Sequence, residues 1–266
     1  MESKGRRSDV STRVITSEVV ADDERDPSRD LWEQYAGWWI DNFTGGADAE
    51  YDEQILPFAA HELADYEHVL DMGCGDGQIS RLLAANGARV VGIDPTWNQI
   101  VVARQRGGGP VYARATAEGL PFADASFDAV LACLVFEHID AVDDAIGEIA
   151  RVVRPGGRFS FFVNHPLLQT PGSGFIDDHM IDPPEQYWRV GPYLVEGESI
   201  EEVEQGVWIR FIHRPLSRYV NSMLDHGFEL QRMVEPAPPP GFLERAPEYP
   251  GAATIPRLMY LRFRRK

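Results

Sequence analysis

The sequence predicts an α/β fold, a mostly parallel sheet with helices on both faces, and two stretches carry that reading. His68–Asp94 (HVLDMGCGDGQISRLLAANGARVVGID) opens with a short apolar run ending on Asp71 and passes three alternating glycines, Gly73, Gly75 and Gly77. Ile79, Leu82 and Leu83 follow at helical spacing, and a second apolar run, Val90–Ile93, stops on Asp94. Strand, glycine turn, helix and strand make a βαβ unit with a right-handed crossover. Phe127–Leu134 (FDAVLACL) is apolar almost throughout, as strands buried on both faces of a parallel sheet are.

The other elements follow in chain order. Residues 1–30 are polar and charged, with few large apolar groups, and read as a disordered arm. Over Leu31–Phe43 the aromatics Trp32, Tyr35, Trp38, Trp39 and Phe43 recur at helical spacing; Gly45–Asp48 breaks this helix and Asp52–Leu63 forms a second. Trp97–Arg106 is helical and ends at Gly107–Gly109, after which Val111–Ala115 is a third strand. Asp140–Val153 is a helix closed by Arg154-Pro155-Gly156-Gly157, and Arg158–Val163 a fifth strand. From Asn164 to Gln205 the period is lost, although Phe175, Tyr187, Trp188 and Tyr193 argue against disorder. So long a segment after a strand is a lid or binding loop. Gly206–His213 alternates like a strand and is expected to pair with part of this insert. Leu216–Gly227 is a helix with a C-terminal glycine, and Phe228–Val234 and Leu258–Arg264 are the last two strands. The proline-rich link between them, PAPPPGFLERAPEYP, is expected to lack regular structure.

Composition narrows the function. A chain of 266 residues, 44% hydrophobic and 25% charged, makes one sizeable soluble domain. Its 42 acids against 25 bases leave a net charge of −17, which disfavours nucleic-acid backbones and anionic membranes and points to a small-molecule partner. The two cysteines, Cys74 and Cys133, lack metal-site spacing or a disulfide framework, as suits a reducing cytosol. No apolar run approaches the ~18 residues of a membrane span, and the N-terminus lacks an apolar signal core. The expected location is cytoplasmic.

The βαβ unit reads as a nucleotide-type site, because glycines let backbone approach a ligand and a helix N-terminus offers free N–H groups. An acid closing the second strand, Asp94, stands where a ribose diol is usually held. The spacing G-x-G-x-G, with an acid at Asp71 before it, differs from the dinucleotide G-x-G-x-x-G. A carboxylate there repels pyrophosphate and suits a cation.

The stretch resembles the first motif of class I S-adenosylmethionine-dependent methyltransferases, hhDhGCGxG. Two further stretches are similar to motifs of that family: ATAEGLPFADASFD (Ala115–Asp128) to GDAExLPFxDxSFD, and VRPGGRFSFF to LKPGGxxxhh. The VFEHI corner after the fourth strand also fits it. The resemblance covers roughly Glu67–Arg158 and is closest to the quinone-biosynthesis and natural-product branch. It implies a Rossmann-like sheet of seven strands, five parallel and a C-terminal antiparallel pair. An N-terminal helical cap over 31–63 and an inserted lid over 164–213 complete a methyltransferase domain spanning 31–266. The implied cofactor is S-adenosylmethionine, the product S-adenosylhomocysteine, and the acceptor a small hydrophobic or aromatic metabolite.

By resemblance, Asp71, Gly73, Cys74, Gly75 and Gly77 line the methionine end of the cofactor and Asp94 accepts the ribose hydroxyls. Pro95, Thr116, Ala117 and Glu118 flank the adenine, and Leu134 lies near the methionyl backbone. Thr116 departs from the family's Asp, which weakens the adenine contact. His138 is the candidate base, with a structural histidine as its alternative. Tyr35, Trp39, His165, Tyr187, Trp188 and His213 are candidate substrate contacts. The aromatic helix is either a lid or a core-packing helix, and Cys74 is a small packing residue rather than a nucleophile. His179 with Asp177 and Asp178 makes a solvated acidic patch rather than a metal site. The alternative function is an S-adenosylmethionine-binding fold that does not methylate, acting as a binding module or in cyclisation. A nicotinamide oxidoreductase lacks its glycine spacing and a Tyr-x-x-x-Lys pair. A homodimer is left open.

Overall fold

In the computed structural model, which describes residues 27–247, 249 and 251–266, the chain enters through helix α1 (Pro27–Phe43). Of the expected arm over 1–30, residues 1–26 lie outside the described residues. Its last four, 27–30, instead begin α1, since proline is tolerated in a helix's first turn, where its missing N–H has no partner to lose. A π-helical turn over Tyr51–Ile55 runs directly into α2 (Leu56–Glu62). Then come β1 (His68–Met72), α3 (Gln78–Ala85), β2 (Arg89–Asp94), α4 (Trp97–Arg106), β3 (Val111–Arg114) and β4 (Phe127–Cys133). A 3-10 turn at Phe136–His138 precedes α5 (Val142–Val152) and β5 (Val153–Asn164). The Arg154–Gly157 turn is a bulge inside β5: Phe127 pairs with Val153, but Ala129 already pairs with Arg158.

The seven-stranded sheet runs β10-β11-β5-β4-β1-β2-β3. The last two of these in the chain are β10 (Phe228–Val234) and β11 (Leu258–Arg265); β11 runs antiparallel to both its neighbours, and all other pairings are parallel. Alternation along the central strands divides the core. Leu70, Val130 and Ala132 face α5 and α7 (Leu216–Asp225), while Val69, Ala129 and Leu131 face α2 and α3. β4 is buried along its whole length, as its apolar run requires. The chain passes from β3 back across β1 to begin β4, so the strand order reverses between β1 and β4. Ligands of open α/β sheets bind beyond the carboxyl ends of the strands at such a point.

Two expectations need correction. The insert is not an aperiodic lid. It holds a short helix, α6 (Pro166–Gln169), and two antiparallel hairpins outside the main sheet, β6 (Gly174–Asp178) with β7 (Glu185–Arg189) and β8 (Gly197–Glu204) with β9 (Val207–His213). The first hairpin and β8 of the second are partly exposed on each face, which erases the hydrophobic alternation that would have announced them, whereas β9 alternates and pairs with the insert as expected. The proline-rich link contains a helix, α8 (Pro240–Arg245). Its prolines stand at the cap and first turn, where they preset the backbone, and Phe242 and Leu243 donate to the Pro239 carbonyl at 3.0 and 3.1 Å.

Candidate functional site

The site is built at the end of β1. The N–H groups of Gly73 and Cys74 both donate to the Ile93 carbonyl (2.8 and 2.9 Å), folding the chain sharply between β1 and α3. Gly73 takes φ +73°, and a Cβ there would collide with Val135. Asp71 points to the same turn and is 1% exposed; the Ser80 hydroxyl, from the first turn of α3, donates to its Oδ2 at 2.6 Å. Burial raises its carboxyl from 3.8 to about 6. Asp94 ends β2, where Oδ2 accepts from the Gly75 N–H (2.9 Å) and Oδ1 from the Thr96 N–H (2.8 Å). Burial raises this carboxyl too.

Around these acids lies a cavity of about 220 Å3. Among the expected cofactor residues, Asp71, Gly73, Cys74, Gly75, Asp94, Pro95, Thr116, Ala117, Glu118 and Leu134 line it. Gly77 does not. It begins α3 at φ +83°, and a Cβ there would overlap the Tyr112 ring, so its constraint is packing against β3. Burial pushes the Cys74 thiol well up, so it stays protonated and packs. Leu134 holds φ +55°, a conformation that costs a branched side chain energy and clusters at functional sites.

Residues the motifs did not announce complete the cavity. Gln99, 2% exposed on α4, and Gln78, on α3, each hold a buried polar atom (Oε1 and Nε2) with no hydrogen-bond partner among the described residues. A polar residue on the inward face of α4, beside Ile100 and Ala103, was the available signal for Gln99. Helix α1 spans the opening. The Glu33 carboxylate caps α4 by accepting from the Trp97 and Asn98 N–H groups (2.7 and 3.0 Å), and Gly45 N–H, beyond the other end, donates to Gln78 Oε1 (2.8 Å).

A second cavity of about 700 Å3 adjoins the first, and Trp39, Tyr51, Leu134 and His138 line both. Its walls are aromatic: Trp38, Trp39 and Phe43 from α1, Phe175 and Trp188 from the first hairpin, Phe211 from the second. The Trp39 and Phe43 rings stack at 4.0 Å. His138 stands at the junction. Its Nδ1 lies 2.8 Å from the Arg210 carbonyl, which accepts only, so Nδ1 carries the proton and Nε2 keeps its lone pair. Burial lowers its pKa to about 4, and the edge of Trp32 packs against the ring.

The other expected substrate contacts divide. Trp39 and Trp188 line the second cavity. Tyr35 is half-buried on α1, and Tyr187 is exposed on the hairpin strand face opposite Trp188; neither lines either of these two cavities. Both rings of the two remaining histidines are turned to structural work. His165 accepts from the Leu167 N–H (3.1 Å) to cap α6 while its Nε2 meets Glu235 (2.7 Å), and buried His213 donates to the Tyr193 carbonyl (2.8 Å). Topology brought them to the right edge of the sheet, and local hydrogen bonding turned them away from the cavities. Asp177 and Asp178 accept from Gln186 Nε2 (2.7 Å) and the Met180 N–H (2.9 Å).

Known proteins agree with this geometry. Residues 70–161 match the methyltransferase domain family. Malonyl-[acyl-carrier protein] O-methyltransferase of Enterobacter lignolyticus is 38% identical over 96 residues, 36% of this chain and 38% of that protein. Ubiquinone biosynthesis O-methyltransferase of Agrobacterium fabrum is 41% identical over 113 residues, 41% of this chain and 45% of that protein. The matched stretches thus span about two-fifths of the length of these relatives. An S-adenosylmethionine-dependent methyltransferase from Mesorhizobium loti, a solved structure, superposes with a TM-score of 0.67 at 26% identity, over 82% of this chain and 98% of that one. By this match and this superposition the chain is similar to class I S-adenosylmethionine-dependent methyltransferases, on a Rossmann-like sheet.

The cofactor of that family is S-adenosylmethionine, and the residues present fit it. Two buried carboxylates suit its ammonium, sulfonium and ribose better than a pyrophosphate. The orphaned Gln99 Oε1 and Gln78 Nε2 await a polar ligand, and a Cβ at Gly75 would project into the space before Gln99.

Proposed function

We propose that the protein transfers a methyl group from S-adenosylmethionine to a small hydrophobic or aromatic molecule held in the second cavity. The observation that carries this reading is the wall of Trp39, Tyr51, Leu134 and His138 common to both cavities, which sets the two reactants face to face. When bound, the cofactor supplies an electrophilic methyl on a sulfonium. The chain's own part is alignment and exclusion of water, the main demands of an in-line displacement. Asp71 holds the ammonium end, Asp94 accepts from the ribose, and Leu134 sets the depth of the junction. Residues 31–63, which comprise most of α1, the π-helical turn and α2, and the 164–213 insert act as caps. His138 Nε2, with its tautomer fixed, accepts the hydrogen of an acceptor hydroxyl.

The acidic surface favours a small molecule over nucleic acid. No helix among the described residues is long and apolar enough to cross a membrane, and two buried free cysteines suit the cytosol. Isothermal titration with S-adenosylmethionine, S-adenosylhomocysteine and NADH tests the cofactor, with binding expected for the first two alone. Release of S-adenosylhomocysteine on adding an acceptor separates methyl transfer from binding or cyclisation. Product formed without that release would reject the proposal.

A further inference from the structure

The second cavity contains a carboxylate, Glu201, that no cation among the described residues pairs with. On β8, Ser199, Glu201 and Val203 share the inward face, and Glu201 lies opposite Ile209, which is 1% exposed, with Phe211 beside it. Glu201 therefore stands where an apolar residue would continue the wall. It accepts from the Ser199 hydroxyl at 2.8 Å, and among the described residues no cation pairs with it. Burial raises its carboxyl above the ordinary value.

Of the other charges of this cavity, one pair is neutralised, one carboxylate is held by a backbone N–H, and one cation stands at the rim. Glu50 and Arg257 neutralise each other (3.0 Å), Asp48 accepts from the Tyr51 N–H (2.9 Å), and Arg189 is exposed at the rim. A half-buried carboxylate without a cation is costly, and such violations of the inside-outside pattern mark functional positions. Aromatic faces around a carboxylate make the environment that recognises an organic ammonium, through cation–π attraction and a charge-assisted hydrogen bond. Glu201 does not line the cofactor cavity, so a group held there is kept away from the reacting methyl.

On the footing of the methyltransferase reading, we propose that the acceptor is an amine-bearing molecule whose protonated amine is read by Glu201 within the aromatic second cavity. The atom that is methylated lies elsewhere on that molecule, at the His138–Tyr51 junction.

The test is calorimetry on the full chain saturated with S-adenosylhomocysteine, with three probes of one shape: tyramine, 4-ethylphenol and 3-(4-hydroxyphenyl)propanoate. Tyramine is expected to bind about tenfold tighter than 4-ethylphenol, and the propanoate more weakly than either. Glu201→Gln should erase the preference for tyramine while leaving S-adenosylhomocysteine affinity unchanged and without lowering the melting temperature. Equal binding of tyramine and 4-ethylphenol, binding of no probe by the loaded protein, or a preference that survives in Glu201→Gln overturns the proposal. The wild-type comparison decides alone if the variant does not fold. Failure of the wild type to bind S-adenosylhomocysteine would instead reject the cofactor reading beneath it.

Discussion

Asp71 ties cofactor affinity to pH through a single carboxyl. Its pKa of about 6 against an ordinary 3.8 means that burying it costs nothing below 3.8, where it is protonated folded or unfolded. The cost is complete above 6, so its contribution to stability falls as pH rises between those values. Cofactor binding has the opposite sign, because only the ionised form attracts the cationic methionine end. Affinity for S-adenosylmethionine should therefore fall as pH drops below 6, approaching about tenfold per pH unit. Asp71→Asn should bind weakly and lose this slope. A flat calorimetric profile in the wild type would remove Asp71 from the methionine end. His138 gives a cleaner kinetic test. His138→Ala should lower turnover while sparing cofactor affinity, since it lines the junction of the two cavities and its Nε2 is the nitrogen left free of the Arg210 carbonyl. If affinity and melting temperature fall with turnover, the ring is a structural filler between Trp32 and Phe211.

At the scale of elements, the glycine turn and α1 deserve different experiments. Gly77→Ala forces a side chain into Tyr112 at a left-handed φ, which should cost on the order of 1–3 kcal/mol by thermal melting. The motif places Gly77 among cofactor contacts, yet its effect should be on stability first. Helix α1 is held over the cavity partly by Glu33, whose carboxylate caps α4 from 64 residues away in the chain. Glu33→Ala should cost roughly 0.5–2 kcal/mol of stability. It should also speed hydrogen exchange over α1 and weaken cofactor affinity. Unchanged exchange over 27–43 would show that aromatic packing alone seats the helix.

Over the whole molecule, the division of labour is between a sheet that binds cofactor and hairpins that wall the second cavity. Gly174 and Arg189 are paired at the open end of the first hairpin, so residues 174–189 can be replaced by two glycines without stretching the chain. The shortened protein should keep its affinity for S-adenosylhomocysteine and lose turnover, because Phe175 and Trp188 leave with the hairpin. Loss of cofactor binding as well would mean that the insert supports the sheet.

The βαβ unit, the buried β4 and the acids Asp71 and Asp94 were legible in the sequence, because local periodicity and contiguous motifs encode them. The seven strands, five parallel with a C-terminal antiparallel pair, were legible by resemblance, and with them the edge expected to take ligands; the strand order was not. The sequence by itself could not separate His138 from His165 and His213. All three reach that edge, and only the folded chain shows which ring nitrogens are spent on Glu235, Leu167 and Tyr193. Nor could it show the first hairpin, whose half-exposed strands lack alternation, or bring Glu201 to Trp39 and Tyr51 from a segment far along the chain. Local pattern determines which elements form and where a nucleotide-type cofactor lies. The acceptor's surroundings are long-range contacts, and those were decided by tertiary packing.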